Sequence, residues 1–162
     1  PEDIYERIMA RLDGRGIRIV VDATKDLLMN VLKYHPFLIK PNNHELGDMF
    51  GVQLETDEEI IEYAGKLKEM GARNVLISMA GDGAILITED GQNIKMGTPK
   101  GKVVNSVGAG DSMVAGFITG YIRGGNYEEA LKSGTAAGSA TAFSEGLASL
   151  EMYEKMLKQI TE

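Results

Sequence analysis

Apolar residues recur along this chain at two periods, and the two alternate. Ile4, Ile8, Met9 and Leu12 stand at helical spacing, which predicts a helix over 2–13, stopped by Gly14 and Gly16. The apolar, β-branched run 17–21, broken by Arg18, predicts a strand. Asp22 and Thr24 follow it. Thr24 is placed to cap a helix carrying Leu27, Leu28, Val31 and Leu32. Pro36 breaks that pattern, 37–39 reads as a short strand, and 40–46 as a turn into a short helix. Thr56 and Glu59 have capping-box spacing and open a helix with the stripe Ile60, Ile61, Ala64, Leu67 and Met70, ended by Gly71. Residues 74–79 and 84–88 read as strands around a turn at 80–83, and 89–91 turns into a hairpin partner. The run 113–118 has no polar side chain and predicts a buried helix, ended near Gly124 and Gly125. Asn126 caps a further helix, with Glu129 three residues on, and a last helix covers about 149–160.

Strands that are nearly all apolar, alternating with amphipathic helices, indicate a mainly parallel sheet covered on both faces. The expected fold class is α/β, a three-layer α/β/α arrangement, with residues 1–162 forming one domain. No repeat, linker or low-complexity stretch interrupts it.

Composition narrows the chemistry. The 162 residues carry a net charge of −7, which argues against nucleic acid or an anionic membrane as partner. With no cysteine, disulfides and thiolate metal sites are excluded. With two histidines, His35 and His44, zinc would need carboxylates, and position 48, where a zincin has its second histidine, is Asp48. No run is long enough to cross a bilayer, so a cytoplasmic protein is expected. The chain opens on Pro1, Glu2 and Asp3, a helix start with no initiator methionine, so a piece of something longer is expected.

The most informative string is NSVGAGDSMVAG at 105–116. Glycines at a helix start let an anion approach unpaired N–H groups. Asp111 repels an anion already bound there, which points to a base that takes the proton of an acceptor hydroxyl beside a phosphoryl group. Neither a Walker loop nor a dinucleotide fingerprint is present, Met113 standing where the third glycine would be. Ser112, Gly116 and Gly120 form a small-residue stripe suited to packing against a helix bearing Ser133, Ala137, Gly138 and Thr141. Lys40, Asn42 and Glu45 follow a strand end, where α/β sheets bind ligands. Lys40 offers a charge for phosphate, and Asn42 with Glu45 suits either a hydrated Mg2+ or a helix cap. Residues 78–83 end another strand and read as a nucleotide loop or a tight turn. Asp22 ends a third strand, as a site residue or, on balance, as the cap of the next helix.

Together NSVGAGDSMVAG, KPNNHE at 40–45 and SMAGDGA at 78–84 resemble the PfkB/ribokinase family of carbohydrate kinases. With AAGSATAFSEGLA at 136–148 they resemble its hexose-phosphate branch. The resemblance implies a ribokinase-like fold and ATP-dependent phosphorylation of a phosphosugar. Asp111 would then be the catalytic base, with an anion hole formed by the amides of Gly108, Ala109, Gly110 and Asp111. Lys40, Ser78, Ala80, Gly81, Asp82, Gly83, Gly138 and Ser144 would contact ATP, with adenine near 102–105. Asn42 and Glu45 would hold Mg2+ through water. Nothing matches the family's N-terminal half, so the resemblance implies the C-terminal, nucleotide-binding portion of the domain. Most of the sugar site and the surface of an expected homo-oligomer would lie outside it. The acceptor phosphosugar stays open.

Overall fold

The computed structural model describes residues 3–161, so the expected helix start at Pro1 and Glu2 lies outside it. Helix α1 spans Ile4–Leu12. Strand β1 is only Val20–Val21, shorter than the run 17–21. The carbonyl of Ile19 already accepts the N–H of Phe37, but Ile17 is 54% exposed, so the apolar run outlasts the ladder. The helix expected from Thr24 to Leu32 forms as two pieces, α2 (Lys25–Met29) and a 3-10 turn at Leu32–Tyr34. Thr24 stands at the N-cap position without a side-chain capping bond, and Lys25 has a φ of 50°, left-handed for an L residue. Leu28, Val31 and Leu32 are buried all the same. The apolar pattern marks burial there, while the helix it predicts is interrupted between Met29 and Leu32.

Strand β2 (Leu38–Ile39), helix α3 (Asn43–Phe50), helix α4 (Asp57–Glu69) and strand β3 (Asn74–Ser78) follow. A 3-10 turn at Ala80–Asp82 leads into β4 (Ala84–Ile87) and β5 (Asn93–Met96). The chain ends in α5 (Ala109–Gly124), α6 (Tyr127–Ala142) and α7 (Leu150–Thr161). The sheet order is β1-β2-β3-β4-β5. β1, β2 and β3 pair in parallel, with Val21 beside Ile39 and Ile39 beside Val75. The fold is α/β, as the pattern predicted.

The chain divides into two compact units. One runs to Ser78 and takes in Ile85–Asn93; the other holds Met79–Ala84 and continues from Ile94. In the first unit α4 packs on β3, burying Ile60, Ala64 and Leu67 over a core that includes Leu38, Ile39, Val75, Leu76 and Ile77. Met70, expected on the α4 stripe, is 43% exposed, because it follows the last helical turn as the C-cap. The capping box that opens α4 is complete. Thr56 Oγ1 accepts the N–H of Glu59, and Glu59 Oε2 accepts those of Thr56 and Glu55 at 3.0 and 2.8 Å.

In the second unit α5 and α6 approach at the distance of their backbones. A Cβ on Gly116 would lie 2.6 Å from the carbonyl oxygen of Ser133, and one on Gly120 2.6 Å from that of Glu129. From the other side, Gly134 would meet the carbonyl oxygen of Met113 at 2.9 Å. Phe117 is fully buried and Thr141 donates to Ser112 Oγ at 2.8 Å. The small-residue stripe is therefore a packing seam. Within the run 113–118 only Gly116 and Phe117 are buried; Ala115 is exposed, because an apolar sequence on a helix cannot turn every side chain to one partner. The other face of α6 packs Ala136 and Ala140 against Met156 of α7.

Gly116→Val places a branched side chain against the Ser133 carbonyl and should cost about 1–3 kcal/mol, read as a lower urea midpoint. Two backbone N–H donors hold the Glu59 carboxyl below its ordinary value of 4.5. A folded-state value below the unfolded one gives stability that is complete above about pH 4.5 and is lost as pH falls through the folded value. The melting-temperature gap between wild type and Glu59→Gln should accordingly be largest near neutral pH and close on acidification. A gap that widens toward acid contradicts the cap.

Candidate active site

Three parallel strands deliver polar residues to one sheet edge in the first unit. Asp22 follows β1, Lys40 and Asn42 follow β2, and Ser78 ends β3. The register that sets Val21 beside Ile39 brings the next pair, Asp22 and Lys40, side by side. Lys40 is 7% exposed and its Nζ lies 3.4 Å from Asp22 Oδ2. A buried ammonium is costly unless paired, and Asp22 supplies the opposite charge. Asp22 is thus a partner of Lys40 and not the cap of α2, a position Thr24 holds. The signal was in the sequence, as opposite charges directly following two apolar runs. Their pairing depends on a register that the sequence does not state.

Asn42 forms an isolated parallel bridge with Ser78, whose N–H donates to Pro41 O at 3.3 Å. Asn42 is also the N-cap of α3. Its Oδ1 accepts the N–H of Glu45 at 2.8 Å, and Glu45 Oε2 accepts the N–H of Asn42 at 2.9 Å. The capping alternative is therefore realised. It does not use up the pair, because Glu45 keeps a second carboxylate oxygen and Asn42 Oδ1 a second lone pair. Among the described residues no group of three or more His, Asp or Glu side chains could hold a metal alone. The donor set fits a hard cation that keeps its own water, as Mg2+ does.

In the second unit the backbone at 79–83 folds into a tight loop, with Met79 N–H on Gly83 O at 2.8 Å. Ala80, Gly81 and Asp82 are exposed. Gly83 has a φ of 93° and backs onto the carbonyl of Met96, where a Cβ would sit 2.0 Å away. Only glycine fits that position.

The string 105–116 forms the start of α5, and Gly108, at φ 79°, is its N-cap. The Ala109 N–H bonds to Ser106 O at 3.2 Å and that of Ser112 to Gly108 O at 2.9 Å. The amides of Gly108, Gly110 and Asp111 have no acceptor among the described residues. Of the four amides expected to form an anion hole, that of Ala109 is used in a turn and the other three carry no such bond. Asp111 is exposed in the first helical turn. The preceding loop is tied to the end of α6, since the N–H groups of Val104 and Asn105 both reach Ala142 O, at 2.8 and 3.1 Å. Asn105 also donates to Glu145 O at 3.1 Å. Gly138 lies buried in the seam, 3.1 Å from Ala109 O if given a Cβ, and the Ser144 hydroxyl bonds back to Ala140 O at 2.8 Å.

The chain matches the family described as pfkB family carbohydrate kinase over residues 1–152. It is 46% identical over 160 residues to a 1-phosphofructokinase of Bacillus subtilis, covering 99% of this chain and 52% of that one. It is 38% identical to a D-tagatose-1-phosphate kinase of Bacillus licheniformis, covering 99% and 53%. Phosphofructokinase-2 from Escherichia coli, solved in complex with substrates and products, superposes with a TM-score of 0.89 at 28% identity, covering 99% and 53%. The chain spans about half the length of the curated relatives it matches. Among the described residues no helix is long and apolar enough to cross a membrane.

Asn42→Ala removes the acceptor for Glu45 N–H and should cost about 0.5–2 kcal/mol of unfolding free energy, while Asn42→Asp keeps most of it. Urea titration of both variants checks the cap.

Proposed function

This chain belongs to the pfkB family of carbohydrate kinases, and we propose that it is the nucleotide-binding and base-bearing portion of a 1-phosphofructokinase. The reaction is transfer of the ATP γ-phosphoryl to fructose 1-phosphate, giving fructose 1,6-bisphosphate and ADP. The observation that carries this reading is Asp111, exposed in the first turn of α5 beside three amides without acceptors. Such N–H groups favour anionic oxygen, and the helix dipole adds to them.

The acceptor hydroxyl oxygen forms a bond to the γ-phosphorus while the bond to the ADP oxygen breaks. Asp111 takes the hydroxyl proton. The amides of Gly108, Gly110 and Asp111 stabilise charge on the transferring group. Lys40, held against Asp22, would lend positive charge to phosphate from the strand end, and the backbone of 78–83 would contact the nucleotide. Adenine would lie near 102–105, with Gly138 in α6 and Ser144 just beyond its end shaping that side. Asn42 and Glu45 would hold Mg2+ through its water, and the ion would supply charge neutralisation at the phosphates. The 46% identity to the Bacillus subtilis enzyme favours fructose 1-phosphate as acceptor. The relative named for tagatose 1-phosphate supports a second ketose phosphate as the alternative. A homo-oligomer is proposed for an enzyme containing both halves of the family domain.

Asp111→Asn, made in a chain of the relatives' full length, should lower kcat by about 10^2–10^4 with little change in the KM for ATP. A coupled ADP-release assay with fructose 1-phosphate, tagatose 1-phosphate and fructose 6-phosphate reads both the loss and the acceptor. Undiminished turnover removes Asp111 from the base role. The 162-residue chain alone should show negligible turnover in the same assay.

A further inference from the structure

The loop at 79–83 contains a conformation that its own residues do not favour. Ala80 has a φ of 48°, in the left-handed region where a methyl group crowds the following carbonyl. An alanine stays there only when its surroundings hold it. Two donors converge on its carbonyl oxygen: the N–H of Gly83 at 3.2 Å and the hydroxyl of Thr98 at 2.9 Å. The first belongs to the turn itself. The second comes from eighteen residues away, two residues beyond the end of β5. Around this point Met79 N–H bonds to Gly83 O, Asp82 N–H bonds to Met79 O at 3.0 Å, and Gly83 rests on Met96. With those N–H groups used internally, the amides of Ala80 and Gly81 are left without an acceptor among the described residues, on an exposed surface. Successive backbone N–H groups of this kind form a concavity for anionic oxygen.

We infer that Thr98 is a positioning residue for the nucleotide: its hydroxyl holds the carbonyl of Ala80 and so keeps the Ala80 and Gly81 amides turned outward toward an ATP oxygen. This rests on the reading of 78–83 as the nucleotide loop. Thr98 touches no reactant itself. It acts through the backbone of Ala80, and a hydroxyl is required there, because a methyl of the same size fills the space without donating.

The test uses Thr98→Val, which keeps the shape and removes the donor, and Thr98→Ser, which restores it. Mg-ATP binding to the 162-residue chain is measured by titration calorimetry, and amide hydrogen exchange is followed at Met79, Asp82 and Gly83. Thr98→Val should weaken Mg-ATP by about three- to tenfold, the worth of one hydrogen bond, and speed exchange at those three amides. Thr98→Ser should return both to wild-type values, with urea midpoints unchanged across the set. Equal affinity in Thr98→Val and wild type overturns the inference and leaves the nucleotide reading standing. Failure of serine to rescue overturns it as well. Wild type that binds no Mg-ATP while its loop amides stay protected overturns the nucleotide reading, and the inference with it.

Discussion

The close approach of α5 and α6 is the constraint on which the candidate base depends. Glycine at 116, 120 and 134 lets the two backbones come within reach of each other's carbonyl oxygens. At that separation neither helix can rotate about its axis without driving backbone into backbone. The seam therefore fixes which way each side chain of α5 points. Ser112 is drawn to Thr141 on α6, and Asp111, about 100° earlier on the helix, is turned outward. The loop before α5 is fixed as well, because two consecutive amides, at Val104 and Asn105, reach one carbonyl at the end of α6. An exposed carboxylate on a mobile turn would make a poor base; here both the helix and its entry are held by the same neighbour.

In the first unit the parallel ladder does comparable work. β1 and β2 are two residues each, yet the register of the ladder places Asp22 beside Lys40 and Asn42 beside Ser78. The apolar residues beneath them, Leu38, Ile39, Val75 and Leu76, are fully buried. They fix the height of each strand end, and the polar residues inherit that precision. Asn42 and Glu45 are tied to the same edge by a reciprocal cap whose two hydrogen bonds span only three residues.

Side-chain caps whose two partners lie three residues apart were legible in the sequence. The capping box of Thr56 with Glu59 is there as read, and of the two uses open to Asn42 with Glu45 the cap is formed, since the chemistry of each is complete in two side chains. The glycine stripe was legible too, because a face of small residues on one helix admits few uses besides close packing. What the sequence could not state is local backbone conformation and the choice among distant partners. Thr24 has the right identity for a capping side chain and makes no capping bond, because Lys25 takes a left-handed conformation. Asp22 could serve as cap or as site residue until the strand register placed it beside Lys40. The Ala109 amide looked open until Ser106 was found beneath it. Thr98 carries no motif, and its meaning comes only from the strained residue eighteen positions earlier.

An acid at a helix start proposed to take an anion looks like a conflict, and its resolution lies in when each charge is present. Before any ligand arrives, a first-turn carboxylate is favourable to the helix, which presents partial positive charge at that end. Asp111 therefore sits where its charge does not oppose folding, on a turn with three amides still to be satisfied. When an anionic group comes to those amides, it comes close to the carboxylate as well. Negative charge brought near a carboxylate makes it a better proton acceptor. In the proposed reaction, the repulsion that would spoil a simple binding site would act in the direction a base needs. A neutral asparagine would accept the anion more readily and could not take the proton.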